Sequence, residues 1–362
     1  MRNAPLLNLV LSLGLAVLIG WLLVVGQDLL LPIFTAIISV YVLITAADAL
    51  SDLPVLNKLP SAVLKLLILV GFTLILAGLG LVVAVTVADL IALAPTYQAN
   101  IDRLVTGIAE TLGLEAQEVW TDLRAVTIDA VDLQALLVQV LGGFTSLGAT
   151  VFLIVVYAAF LMSERDGFAR KLAIALPDRD QAETAARVIA DINKKIGDYL
   201  AVKTLINIIL GVMSYAILWV MGVDFALFWA LVIALLNYIP YVGSLFGVVF
   251  PVVLSLAQFG SLTTTLILAA FLTAAQTYVG NVLEPRMIGR QLNLSPFIVL
   301  VALSLWTALW GLPGAILAIP MTSMMAIVLA SFDATRFLAV LLAERVGTIE
   351  TDANTNTPED DR

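Results

Sequence analysis

Long apolar runs dominate the chain, separated by short polar joints. They fall at about 6–26, 29–47, 62–88, 142–162 and 199–222, then at 225–258, 262–283 and 295–330. The first five, and the run at 262–283, approach or exceed the roughly 20 residues an α-helix needs to cross about 30 Å of hydrocarbon. None shows the strict alternation of a strand, and in lipid only helices or closed barrels satisfy their own backbone. The pattern predicts an all-α polytopic membrane protein. It has about six full transmembrane helices plus two Pro/Gly-broken helical hairpins, with short amphipathic helices on both sides. The first run is too long for the apolar region of a signal peptide and lacks a nearby small-residue cleavage site, so it predicts a retained span.

The runs at 225–258 and 295–330 are interrupted near their middles. The first reads apolar to Leu236, then Asn237-Tyr-Ile-Pro-Tyr-Val-Gly243, then apolar again through Phe250-Pro251. Pro240 has no N–H and disfavours helix at Ile239. Gly243 permits a turn that other residues resist. The second run opens at Ser295-Pro296, breaks at Trp310-Gly-Leu-Pro-Gly314 and kinks at Ile319-Pro320. A broken helix frees N–H and C=O groups that lipid cannot satisfy, so they must face protein, water or a solute. Paired broken segments of this kind mark binding sites in secondary transporters.

Charge gives the pattern a direction. One threading places sixteen of the eighteen Lys and Arg residues on the cytoplasmic side, leaving Arg103 and Arg124 outside. Basic residues near span ends stay cytoplasmic. The threading needs a reversal at Gln27 and Asp28, and it puts both termini inside. Residues 1–88 then hold N-terminal transmembrane helices, 89–141 an external amphipathic helical segment, and 142–162 a further transmembrane helix. Residues 163–198 form a cytoplasmic amphipathic helical segment. Residues 199–346 form a C-terminal transport core containing both broken hairpins, and 347–362 an acidic tail expected to be disordered.

Composition narrows the chemistry. The chain is 61% hydrophobic and 12% charged, whereas soluble domains carry about 25% charged residues. Its net charge of -9 argues against nucleic acid. It has no Cys and no His, so thiolate and imidazole chemistry are absent and proton transfer would fall to carboxylates. No phosphate-binding G-x-x-x-x-G-K-[ST] sequence occurs, and no two acids lie at mid-span. The expectation is no enzyme, no cofactor and no metal.

The candidate solute pathway is drawn from polar residues near the breaks. Asn237, Tyr238, Pro240, Tyr241 and Gly243 form the first tip. Gln276 and Asn281, five residues apart, are expected to share a broad face of the intervening span. Glu284 is the acid nearest that span's end, followed by Pro285 and Arg286; ionisable residues there are costly and hence functional suspects. Thr307, Trp310, Gly311, Pro313 and Gly314 make the second tip, with Pro320 beyond it. Gly243-x-x-x-Gly247 is a close-packing signal.

Three stretches together resemble the AI-2E family of bacterial membrane transporters: NYIPYVGSLFGVVFP at 237–251, GNVLEPRMIGRQLNLSP at 280–296 and LWTALWGLPGAILAIP at 305–320. Pro240, Gly243, Glu284, Pro285, Gly311, Gly314 and Pro320 match motif positions. Thr307 departs, since relatives often carry Gly there. The resemblance implies a homo-oligomeric exporter or permease of the bacterial cytoplasmic (inner) membrane, with five subunits among the options. Its solute would be small and polar, like autoinducer-2, and would pass as the two opposed broken hairpins open in alternation. Two alternatives stay open: an antiporter coupled to Na+ or H+ through Glu284 or backbone carbonyls, and a non-transporting membrane scaffold.

Overall fold

The computed structural model describes residues 4–51, 59–112, 148–164, 167, 171, 175, 179–288, 293–332 and 335–344. Regular structure among them is helical. In chain order the helices are α1 (Ala4–Val25), α2 (Gln27–Ser51) and α3 (Ser61–Leu112). Next come α4 (Gly148–Glu164) and α5 (Arg179–Val220). After them lie α6 (Ala226–Leu236), α7 (Val242–Phe259) and α8 (Leu262–Tyr278). A π-helical turn, Val279–Leu283, leads into α9 (Glu284–Ile288). The last are α10 (Pro296–Ala330) and α11 (Arg336–Leu342).

Among the described residues, six segments are long and apolar enough to cross a membrane: Gln27–Ser51, Ser61–Gly107, Ala182–Val220, Val242–Phe259, Leu262–Ile288 and Pro296–Ala330. Val10–Val25 and Gly148–Glu164 are shorter apolar helices. Trp219, Val220, Phe271 and Phe297 all stand exposed, an outer surface that lipid solvates and water would not. The protein is a multi-pass membrane protein.

Helices run past the edges that hydropathy suggests. The expected span 62–88 continues to Leu112 without interruption, a rod of about 78 Å at 1.5 Å per residue. The amphipathic segment ending at 198 and the span beginning at 199 are one helix, α5. Between α1 and α2 only Gly26 intervenes, and it keeps i→i−4 bonds on both sides (to the Leu22 carbonyl, and from Leu30 N–H). Helical bonding carries on through Gly26, whereas the charge threading needed a reversal at Gln27 and Asp28. Residues 113–141 of the external segment and the tail 347–362 lie outside the described residues.

The described chain divides into two compact units. The first comprises Met1–Leu69, Leu153–Ala201 and Arg290–Arg362; the second comprises Val70–Phe152 and Val202–Gly289. The core of the second is built from Ile206, Leu210 and Leu218 of α5, Ile233 of α6, Leu268 and Leu272 of α8, and Val279. One end of this unit is held by polar contacts from α3. Tyr97 Oη donates to Asp224 Oδ2 at 2.8 Å. Asn100 Nδ2 donates to the Ala257 and Gln258 carbonyls at 3.1 and 2.6 Å. Those carbonyls close α7, where helical partners run out. Gln258 completes the ring, accepting from Asp224 N–H and donating to the Gly222 carbonyl. Gly260 ends α7 in the left-handed region (φ 56°), as helix C-termini favour, and a Cβ there would lie 3.1 Å from the Asn100 carbonyl oxygen.

Asn100→Ala leaves two partly buried carbonyls without a donor, at a cost of about 1–3 kcal/mol. The thermal midpoint of the purified protein in lipid nanodiscs should fall by several degrees, and Arg103→Ala, which removes an exposed bond to Asn100 Oδ1, should lower it less.

Candidate functional site

The first break forms between α6 and α7, in the second unit. Asn237 still has helical dihedrals. Ile239 N–H bonds to the Leu236 carbonyl at 2.8 Å, and Val242 N–H bonds to the Pro240 carbonyl at 2.6 Å. Tyr241, between them, has φ 62° and ψ −50°. This is a γ-turn of the rare, strained hand. The sequence assigns the unusual turn to Gly243, but Tyr241 adopts it. Gly243 serves another need: a Cβ there would lie 1.9 Å from the Leu236 carbonyl oxygen. The returning chain passes so close that only glycine fits.

The second break lies within α10, in the first unit. Gly311 has φ 64° and ψ −143°, a conformation that glycine tolerates and L side chains resist. Trp306 Nε1 donates to Thr322 Oγ1 at 3.0 Å. In a straight helix these residues would be about 24 Å apart, so the chain doubles back at Gly311. A Cβ on Gly314 would fall 2.0 Å from the Trp306 carbonyl oxygen, repeating the close approach at Gly243. Trp310 stacks obliquely on Trp306 and Phe34. Its Nε1 donates to the Leu23 carbonyl at 3.0 Å, near the end of α1 where carbonyls need outside partners. Pro320 is buried in the returning arm, while Thr307, Gly311 and Pro313 are exposed. The Thr307 hydroxyl turns back onto the Leu303 carbonyl.

A polar seam crosses the second unit beside the first break. Asn237 Nδ2 donates to Asn207 Oδ1 at 2.8 Å, and Gln276 Nε2 donates to Asn237 Oδ1 at 2.9 Å. All three amides are buried. Tyr238 Oη and Thr204 Oγ1 are 2.7 Å apart. Lys203 Nζ meets Glu284 Oε1 at 2.5 Å. Lys203 and Asn207 lie one turn apart on α5, so both face the seam.

The π turn explains how Glu284 reaches it. Eight residues of α-helix would rotate Glu284 about 80° away from Gln276, whereas absorbing one extra residue in the wide turn leaves them about 20° apart. Glu284 N–H bonding to the Val279 carbonyl marks that turn. Gln276 and Asn281, by contrast, do not share a face. Gln276 is buried toward Asn237, and Asn281 is exposed beside Thr273 and Thr277 in an open recess. Pro285 is exposed too. In the second unit the structure therefore brings together Asn237, Tyr238, Gln276 and Glu284. Pro240, Tyr241 and Gly243 shape the turn beside them.

The sequence reading missed Lys203, Thr204 and Asn207. The charge threading counts Lys203 among the sixteen basic residues on the cytoplasmic side. The available signal was three polar residues at i, i+1 and i+4 in an otherwise apolar stretch, with Ser214 buried seven residues on.

The AI-2E family transporter profile matches residues 11–334. The chain belongs to the AI-2E family. The AI-2 transport protein TqsA of Escherichia coli K12 is 28% identical over 338 residues, covering 93% of this chain and 96% of that protein. YhhT of the same strain is 28% identical over 276 residues, 76% of this chain and 78% of the relative. A protein of Borreliella burgdorferi is 34% identical over 201 residues, 55% of this chain and about half of that protein's length (54%). AI-2E members are transport proteins and not enzymes.

Two glycines of the family motif region separate conformational need from simple packing. A Cβ at Gly247 would meet Ile233 at 3.6 Å, an ordinary contact. Gly243→Ala, which must displace backbone, should cost at least about 1–3 kcal/mol and sharply reduce the monodisperse yield on size exclusion. Gly247→Ala should purify as wild type does.

Proposed function

We propose that the chain is a permease or exporter that moves a small polar solute through the second unit along the Asn207–Asn237–Gln276 chain. The observation that carries this reading is the amide relay itself. Three buried side-chain amides, on three separate elements, bond to one another beside a strained break in the helix. Each amide offers both donor and acceptor. A net intramolecular hydrogen bond is worth only about 1 kcal/mol, so the hydroxyl and carbonyl groups of a polar solute can replace amide partners one for one at little cost.

TqsA bears AI-2 transport in its name, and a solute of that small polar class is the one we carry to this chain. Access would alternate as the two broken helices, one in each unit, open in turn. Their tight glycine contacts and strained residues support discrete arrangements over gradual deformation. Oligomeric assembly in the bacterial cytoplasmic membrane belongs to the same proposal.

Proteoliposomes loaded with equal amounts of folded protein should take up AI-2, with Asn237→Ala and Gln276→Ala each lowering the initial rate at least about tenfold, the effect of losing roughly 1.4 kcal/mol. Wild-type rates in both variants would contradict the placement of the passage.

A further inference from the structure

The Lys203–Glu284 pair is unequal in a telling way. The Lys203 side chain is 5% exposed and that of Glu284 29%. Taking an ammonium out of water is costly and is repaid only by well-placed partners. An ammonium has three N–H donors, and Lys203 has one hydrogen-bond partner among the described residues, Glu284 Oε1. One turn along the same face, Asn207 Nδ2 is buried with no partner of hydrogen-bond geometry among the described residues, although Tyr238 stands beside it. Donors therefore exceed acceptors at this end of the seam, next to a fixed positive charge. That imbalance suits a ligand rich in acceptors and negatively charged.

Of the two partners only Glu284 can leave. It sits on the five-residue helix α9, just after the π turn, and is partly open to its surroundings. Exposed Arg286 lies two residues on. Lys203 is fixed in the interior of α5. We infer that Lys203 is the binding residue for an oxyanion, the carboxylate or phosphate group of a solute, and that Glu284 is the resident counter-ion which that group displaces. Lys203 keeps one negative partner throughout the exchange, so no proton need be taken up. The inference rests on the solute path proposed above and adds a charge class to it. It also accounts for a buried charge pair in a seam otherwise made of neutral groups.

The test is binding, with no transport involved. Full-length protein in phosphatidylcholine nanodiscs is titrated with acetate and with inorganic phosphate, against chloride at matched ionic strength and against glycerol. The thermal midpoint is the readout. Wild type should be stabilised saturably by at least one oxyanion and by neither control. Glu284→Gln, which leaves the ammonium uncompensated, should bind the same oxyanion about tenfold more tightly. Lys203→Met should lose the response. The double variant Lys203→Met/Glu284→Gln, whose site is neutral and so tolerable when buried, should fold and also lose it.

Absence of any oxyanion-specific shift in both wild type and Glu284→Gln overturns the inference, as does an undiminished shift in the double variant. Lys203-dependent stabilisation by phosphatidylglycerol, with none by soluble oxyanions, assigns the partner to a lipid headgroup and overturns the solute reading. Oxyanion binding that depends on Lys203, together with normal transport by Asn237→Ala and Gln276→Ala, would remove the proposed passage and leave the anion site standing.

Discussion

Backbone and side-chain polar groups that leave a regular helix in lipid must find partners inside the protein, and this requirement governs both broken helices. At the first break the Pro240 carbonyl is satisfied by Val242 N–H and the Ile239 carbonyl by Gly243 N–H. At the second, tryptophan N–H groups reach a hydroxyl and a helix-end carbonyl. The side chains around the first break are then drawn into the same accounting. Asn237 would be a buried, costly amide by itself, but between Asn207 and Gln276 it is satisfied at both ends. A site of this kind is stable when closed and can still exchange partners, because each bond contributes little individually.

Glycine acts in the two breaks mainly through closeness. Gly243 and Gly314 each sit where the returning chain nearly touches a carbonyl of the outgoing one. The positive dihedrals fall on Tyr241 and Gly311. Strain held on a tyrosine persists only because its surroundings fix it, and such residues cluster where movement is part of function. The strained Phe225 at the start of α6 (φ 58°) lies beside the hydrogen-bonded ring formed by Tyr97, Asn100, Asp224 and Gln258. Short α6 thus has an unusual dihedral at each flank.

Much of this was legible in the sequence. Apolar runs and the cost of unpaired backbone point to an all-helical membrane protein, and the Pro and Gly clusters mark where the runs break. The motifs at 237–251, 280–296 and 305–320 indicate the family. What escaped the sequence has physical causes. Hydropathy reports where lipid contact ends and says little about where a helix ends, so α3 and α5 run on through polar residues. Counting Lys203 as a cytoplasmic-side charge hid its burial, because one ion pair can carry a lysine into the interior. The π turn shifted the helical phase by one residue, aligning Glu284 with Gln276, while Asn281 stands exposed. The charge pattern asks for a reversal at Gln27 and Asp28, yet helical bonds run on both sides of Gly26.

The absence of cysteine from this sequence permits a direct measurement of whether the amide relay lines a passage. Asn237→Cys, Gln276→Cys and Leu268→Cys would each be treated in proteoliposomes with a small membrane-impermeant thiol reagent, with and without AI-2. The account predicts that cysteines at 237 and 276 react from an aqueous side and are protected by solute, while the one at 268, in the apolar core, stays inert. Equal inertness at all three positions would contradict it.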